Sequence, residues 1–581
     1  SMSESLTNTN CESCGLCISA CPTGAITENT QFKPAPVEWD TISTLCNYCS
    51  VGCEINLHHK NGFVLRTTGK EGLINKDGNI CKYPKFGYNY PNDRKRITKP
   101  LLKVDGTFEE ISFEKAYEVI LDEIKHVEPE ENGFYAGSRL SNEELYLIQK
   151  FARLAARTNN IHSFQYLTSF KGNNLNTKAN VPFEDIHKAS KIYLLGSELN
   201  EENGVVGFMV NNTRMLHDIP VELITNREKS SMEHKVDHKT QVNSYYHFIK
   251  AVNHYIITEG LQNNLFIKDR TTGFDEYKNA LLNEDFDKLV EQSGICCKEH
   301  LVEFAEQYNK EQNAIIIFSE RNVSPTVATE IFNLAMMTGK IGKTGSGLIS
   351  LKEKNNSQGI FDMGINSRSG VGNRSFEDTD FVNQLKSAWD MDALPEIPQD
   401  EHIDQLDSGK IKKMYVFGED PMGCALDKER VDKWFIEAEF VMVQDYFMTK
   451  TAQNADLILP ASFPIESSGT YTNTQRYIQQ FEKQKEAKVE KENYRQILDM
   501  LNVFEKNGLS SVEEVRKEAI SLLPQNQSIE HSFEYTKEDN KEFRLFNHGC
   551  DSIVKYFDDR FEELMGEKEK ENKLAESEVY K

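Results

Sequence analysis

Eight of the 12 cysteines fall within the first 81 residues, at Cys11, Cys14, Cys17, Cys21, Cys46, Cys49, Cys53 and Cys81. A chain so organised must fold its N-terminal part around something that thiolates bind. Disulfide frameworks belong to small secreted domains. This chain has 581 residues and opens on no basic stretch followed by an apolar one, so secretion is not expected. Tight local cysteine spacing then reads as metal ligation. The other four, Cys296, Cys297, Cys424 and Cys550, are scattered and read as ordinary thiols, with nothing beside them in sequence that suggests a metal.

The first run, CESCGLCISACP over residues 11–22, has the spacing C-x2-C-x2-C-x3-C-P. Cys11, Cys14 and Cys17 at i, i+3 and i+6 can wrap one face of a cubane while turn N–H groups reach its sulfides. In two-cluster ferredoxins the last cysteine, here Cys21, serves the other cluster. No second run precedes Cys11, so upstream sequence or a partner subunit supplies the missing half, or the site is incomplete. A zinc knuckle or a set of redox thiols is the competing reading. The second set is self-contained: LCNYCSVGC supplies Cys46, Cys49 and Cys53, and Cys81 follows after an excursion over residues 54–79. There Ile55, Leu57, Phe63 and Leu65 alternate, and Gly62, Gly69 and Gly72 punctuate, as in a β-hairpin. Zinc ribbons pair two C-x2-C knuckles, so the set reads as four thiolates on one [4Fe-4S] cluster.

From Lys99 the pattern changes to buried strands alternating with amphipathic helices. Strands are expected at 133–137, 192–195, 221–224, 314–318, 414–417, 441–443 and 457–459. Helices are expected at 142–157, opened by a capping box of Ser141 and Glu144, and at 241–259, 324–338 and 427–437. Such alternation implies parallel sheets covered on both faces, with ligand sites at the carboxyl ends of strands. The loop 339–347 fails as a phosphate-binding loop because Met337 stands where its first Gly belongs. Residues 355–359 (NNSQG) and 469–474 (GTYTNT) are dense in small and amide side chains at expected strand ends, as ligand cradles or as Asx-rich turns. The stretch after Gln525 is polar, and 568–581 reads as a solvated or frayed helix. A net charge of -24 repels phosphate backbones and excludes a nucleic-acid partner; no run is apolar enough to span a membrane.

These motifs, in this order, resemble the molybdopterin oxidoreductase superfamily. The branch they resemble holds the catalytic chain of NAD-linked formate dehydrogenase (its α subunit) and the iron–sulfur scaffold chain of bacterial NADH:quinone oxidoreductase (complex I), which has lost its molybdenum or tungsten chemistry. The likeness rests on CESCGLCISACPTGAI, TLCNYCSVGC, CKYPKFGYNYPNDRKRITKPL, MTGKIGKTGSGLISLKEKNNSQGIFDMG and VQDYFMTKTAQNADLILPASFPIESSGTYTNTQR. It implies an α/β fold: small N-terminal iron–sulfur domains, then doubly wound parallel-sheet domains, with the C-terminal β-barrel of active enzymes missing. The expected division is 1–38 (ferredoxin-like), 39–100 (second [4Fe-4S] domain), 101–160 with 340–500 (first α/β domain), 161–339 (inserted second α/β domain) and 501–581 (helical and polar tail). It also implies a pterin site at Asn355, Asn356, Gln358, Gly359, Thr470, Thr472 and Asn473.

Five departures bear on that site. Thr168 and Ser169 stand where active formate dehydrogenases carry the metal-ligating Cys or selenocysteine and its His. Pro84 replaces the Gly of the family's Cys-x-Lys-Gly, leaving Lys82 or Lys85 to compensate. An expected Arg pair is reduced to Arg227. Lys352-Glu353 replaces Arg-Gly, setting a carboxylate against a diphosphate, and the closing barrel is expected to be missing. The expectation is therefore a cytoplasmic iron–sulfur electron-transfer subunit, peripheral to a membrane through its complex at most, on a scaffold without molybdenum or tungsten. Flavin/NADH-binding or ferredoxin-type subunits, and a membrane arm, are the expected partners. The alternatives are a catalytic subunit holding Mo or W with molybdopterin guanine dinucleotide, and a purely structural subunit.

Overall fold

A computed structural model describes residues 10–27, 38–88, 90–93, 95–168, 180–504, 508–524, 531–540, 543–547 and 551–553. Ser169, Cys550 and the stretch 568–581 lie outside them.

The hairpin excursion forms as its pattern requires. Strands Asp40–Leu45, Glu54–Lys60 and Phe63–Gly69 make an antiparallel three-stranded sheet. The chain reverses at Asn61-Gly62, both with positive φ (50° and 79°), the two-residue turn whose twist suits a hairpin.

Beyond it lie two larger sheets. One has the order His238–Gln241, Val221–Thr225, Lys191–Leu195, Ala314–Ser319, Gly347–Leu351, all parallel. The other has five parallel strands, Leu457–Pro460, Phe440–Asp445, Lys413–Phe417, Asn132–Ala136 and Ile161–His162, with the antiparallel hairpin Leu101–Val104 and Thr107–Glu110 on its edge. Each runs outward in both directions from a central pair, so each has a switch point where its strand ends diverge and open a crevice. In the five-stranded sheet that point lies between Lys191–Leu195 and Ala314–Ser319; in the seven-stranded sheet it lies between Asn132–Ala136 and Lys413–Phe417.

Strand Ala314–Ser319 is buried at every residue, as a strand covered on both faces should be. Ile315 and Ile317 pack with the cysteine-bearing domain, while Ile316 and Phe318 pack with the helices Tyr245–Thr258 and Pro325–Met337. The period of two thus seats the N-terminal domain on one face of this sheet. The capping box at Ser141 is present, but its helix ends at Leu154, short of the expected 157, because Arg157 turns left-handed at φ 51°.

One expectation is corrected. Gly469–Thr472 is itself a strand, paired with Ile478–Phe481, rather than a loop at a strand end. The polar stretch after Gln525 also packs into the body: Phe533, Phe546 and Ile553 are buried in three different cores. Its polar composition hid widely spaced apolar anchors.

Candidate functional site

Cys46, Cys49, Cys53 and Cys81 converge on one small cavity at the hairpin base, walled by Val51, Pro84 and Val205. Strand Asp40–Leu45 delivers Cys46, whose N–H donates to the Cys53 carbonyl at 2.8 Å and so closes the loop. Asn75 returns the chain to Cys81. Its amide donates to the carbonyls of Glu54, Lys70 and Asn79 (3.0, 3.0 and 3.3 Å) and accepts from the Glu54 N–H at 2.8 Å. A Cβ on Gly204 would lie 2.8 Å from that of Cys81, so only glycine permits this approach. Tyr48 and Tyr83 stack at 3.7 Å beside the thiols.

All four thiols are buried. Burial, with repulsion from Cys49, pushes Cys46 up to about 12, and burial raises Cys49, Cys53 and Cys81. Four thiolates in so dry a space require a compensating cationic group. Their sulfurs are not gathered within the 4.8 Å mutual spacing of a single-ion site, whereas ligands on one zinc stand about 3.8 Å apart. The Asn203 amide adds a donor at the Cys49 sulfur, and its Nδ2 has no other hydrogen-bond partner. The residues present fit a [4Fe-4S] cubane.

The first run lies directly against this domain. Its short helix Leu16–Ala20 places Cys17 mid-turn and Cys21 at the end. Hydrogen bonds from the Ile26 amide and the Thr23 hydroxyl hold the Cys21 thiol down to about 7, a nest suited to a thiolate. Lys85, on the helix that follows Cys81, donates to Gly15 O and Ser19 Oγ at 2.8 Å each. Lys235 and His234 pair with Glu12. Lys85 therefore ties the two cysteine segments together; nothing in the sequence marked it for that task.

The crevices of the two large sheets face a common cleft. Tyr166 donates to Glu320 at 2.6 Å, Gln165 reaches Glu353 at 3.3 Å, and Ser163 donates to Glu419 at 2.7 Å. The sequence pointed here, yet the cleft is occupied by the chain itself. Arg139, at the end of strand Asn132–Ala136, pairs with Asp551 at 2.8 Å and donates to the Asn47 and Tyr48 carbonyls. Asp551 also meets Lys354 at 3.6 Å, Ser552 donates to Asp445 at 2.6 Å, and Arg544 meets Glu353 at 2.9 Å. Thr168 donates to the Phe543 carbonyl at 3.0 Å; Ser169 lies outside the described residues. Arg227 is held by Glu201, Glu198 and Asn322. Burial drives Glu419 up to about 8 and Glu202 and Asp445 up to about 7. Two recesses remain there, each with only about 20 Å³ of internal space, far below the ~300–1,000 Å³ typical for one drug-sized ligand.

The residues singled out in the two amide-rich segments are brought together, but with their polar groups turned to protein. Asn356 Oδ1 accepts from Thr472 N (2.7 Å) and its Nδ2 donates to Leu140 O (2.6 Å). Asn142 donates to both Thr470 and Thr472, Asn473 holds Val51 O, and Gln358 holds Asp362. Gly359 packs too closely on Asn356 and Asn142 to carry a Cβ. Asn355 Nδ2 alone in this set is buried without a partner.

The family described as "Molybdopterin oxidoreductase" matches residues 96–503, its Fe4S4 domain matches 39–93, and a 4Fe-4S binding domain matches 7–27. The chain is 31% identical over 520 residues to the α subunit of F420-dependent formate dehydrogenase of Methanocaldococcus jannaschii, covering 85% of this chain and 75% of that protein. It is 29% identical to the corresponding subunit of F420-dependent formate dehydrogenase 2 of Methanococcus maripaludis, covering 84% and 74%. Acetylene hydratase from Pelobacter acetylenicus superposes with a TM-score of 0.62 at 16% identity, over 83% of this chain and 72% of that one, a likeness of fold.

Proposed function

The chain belongs to the molybdopterin oxidoreductase family and carries 4Fe-4S domains, and from that premise we propose that it is the iron–sulfur electron-transfer subunit of a multi-subunit NADH- or formate-linked oxidoreductase, on a scaffold that has lost its Mo/W site. In this reading Cys46, Cys49, Cys53 and Cys81 ligate one [4Fe-4S] cluster, and Cys11, Cys14, Cys17 and Cys21 supply all or half of a second. Bound there, the clusters supply one-electron relay sites. Lys85 holds the two segments in contact, and the Tyr48–Tyr83 stack with Val51 and Val205 keeps water from the inner site.

The observation that carries the loss of the metal–pterin site is that the chain's own acidic side chains fill the cleft and take up its cations. Glu202, Glu320, Glu353, Glu419, Asp445 and Asp551 gather where an anionic dinucleotide would lie, and the cations Arg139, Lys352, Lys354 and Arg544 are paired with acidic residues of the same chain. Anionic diphosphates need unmatched cations or free N–H groups. A molybdenum- or tungsten-bearing pterin dinucleotide does not fit the cleft so closed.

The α-subunit relatives are subunits by name, which supports a place in a multi-subunit complex; the partners in this reading are flavin/NADH-binding or ferredoxin-type redox subunits. Among the described residues no helix is long and apolar enough to cross a membrane. A second reading, a catalytic formate dehydrogenase-like subunit, draws support from the named relatives and from Asn355 Nδ2, buried without a partner. It requires residues 543–547 and 551–553 to leave the cleft.

Counting Fe, Mo and W per chain in anaerobically purified protein separates the two. About four to eight Fe without Mo or W is the expected result. Stoichiometric Mo or W, with formate oxidised by an artificial dye, would overturn the relay reading.

A further inference from the structure

Two of the scattered cysteines acquire a neighbour in the fold that their place in the sequence does not announce. The helix Phe286–Ser293 ends on Gly294 at φ 68°, and the chain turns directly into the helix Lys298–Lys310, with Cys297 extended at its N-cap. This short connection sets Cys296 and Cys297 beside His300, one turn into the second helix. Cys296 Sγ lies 2.8 Å from His300 Nδ1 and 3.9 Å from Cys297 Sγ. The three donor atoms all fall within 4.8 Å of one another, and no other three Cys, His, Asp or Glu side chains among the described residues do so. Cys296 and His300 are exposed and Cys297 is half-buried.

The spacing suits one ion and not a cluster. Tetrahedral bonds of about 2.3 Å to sulfur and 2.0 Å to nitrogen set donors about 3.5–3.8 Å apart. The Sγ–Sγ separation of 3.9 Å is within about 0.1 Å of that range, and the Sγ–Nδ1 contact has only to open by less than 1 Å, at exposed side chains free to adjust. The Glu299 carboxylate lies against Cys297, within reach of a fourth position. The ammonium of Lys298, which would oppose a cation, is drawn to Asp287 at 2.7 Å and over the Phe286 ring. Two thiolates and an imidazole are soft to borderline donors, which favour zinc(II) or copper(I) over magnesium or calcium.

We propose that Cys296, Cys297 and His300 form a surface site for one thiophilic d10 ion, zinc(II) or copper(I), separate from the iron–sulfur segments and completed by Glu299 or water. Binding releases the two thiol protons and leaves the imidazole neutral, so nothing is oxidised or reduced. The site spans a single turn between two helices, so the fold does not depend on its occupation.

The test uses the full chain with its iron–sulfur groups in place, under reductant, titrated separately with zinc and with copper(I) against chromophoric competitors. One tight equivalent of one of the two ions identifies which is bound. His300→Ala, and separately the double substitution Cys296→Ser with Cys297→Ser, should weaken that equivalent by more than the roughly 100-fold that losing a supporting contact costs. Iron content and melting temperature should stay unchanged, which excludes misfolding and places the loss at this turn. Cobalt(II) as a probe should show a thiolate charge-transfer band in the parent chain and lose it in the double variant. No tight equivalent of either ion in the parent, or an equivalent that survives the double substitution, overturns the proposal.

Discussion

At the base of the N-terminal hairpin, four buried thiols face a shared space; of the cations that act on them, Lys82 sits beside Cys81, and Arg139 and Lys354 are already paired with Asp551. At the strand ends of the two large sheets, by contrast, Arg139, Lys352, Lys354 and Arg544 are matched by Asp551, Glu320 and Glu353. Both regions are buried and both are rich in ionisable groups. The first is chemically unfinished without an added group, and the second is closed by the chain itself. Burial of charge alone therefore does not mark a cofactor site; burial of one sign of charge with no internal partner does.

The comparison breaks most visibly at the cysteines. Cys53→Ser or Cys81→Ser should remove about four Fe per chain and the corresponding cubane signal in electron paramagnetic resonance. Because that group also organises the local fold, the melting temperature should fall sharply as well. Retention of full iron would mean the hairpin base is not a cluster site.

Next comes the cleft. Asp551→Ala leaves Arg139 buried without its partner, and breaking such a pair costs about 3–5 kcal/mol. Denaturant unfolding should register that loss with the iron content unchanged. Unaltered stability would mean that another anion meets Arg139, which is what the pterin reading requires.

A smaller effect follows from Glu419, whose burial raises it from 4.5 to about 8. The folded chain keeps its proton at pH values where the unfolded chain has lost it. Its contribution is full below about pH 4.5 and is lost as pH rises through about 8, levelling off above that. Asp445, raised to about 7, acts with the same sign. Glu419→Gln should flatten the decline of melting temperature between about pH 6 and pH 8; an unchanged slope would show that this carboxyl does not hold the proton. Smallest of all is Lys76→Ala. Lys76 pairs with Glu184 between the hairpin domain and the five-stranded unit, but both side chains are mostly exposed, at 63% and 55%. Such pairs add little, so melting temperature and iron content should not change measurably.

Much of this was legible along the chain, and most of what was not depends on residues far apart in sequence. The cysteine spacing and the Asn61-Gly62 turn are local patterns, and the first site's geometry follows from residues a few positions apart. The buried strands Ile192–Leu195, Ala314–Phe318 and Met414–Phe417 announced themselves as apolar runs because parallel strands are covered on both faces. Lys85 stood out only as a substitute for the family's lysine; its tie to the first run stayed hidden because its partners Gly15 and Ser19 lie far back in the chain. The Cys296–Cys297–His300 grouping escaped because a turn between two helices, not a recognised spacing, brings the imidazole to the thiols.

The N-terminal segments had to bind a thiophilic group and the body had to be a parallel α/β fold; the sequence determined both, because periodicity and ligand spacing act over a few residues. Tertiary structure decided what fills the cleft. Whether Arg139 awaits a phosphate or already has its counter-ion depends on Asp551, more than four hundred residues away, and only folding brings the two within 2.8 Å.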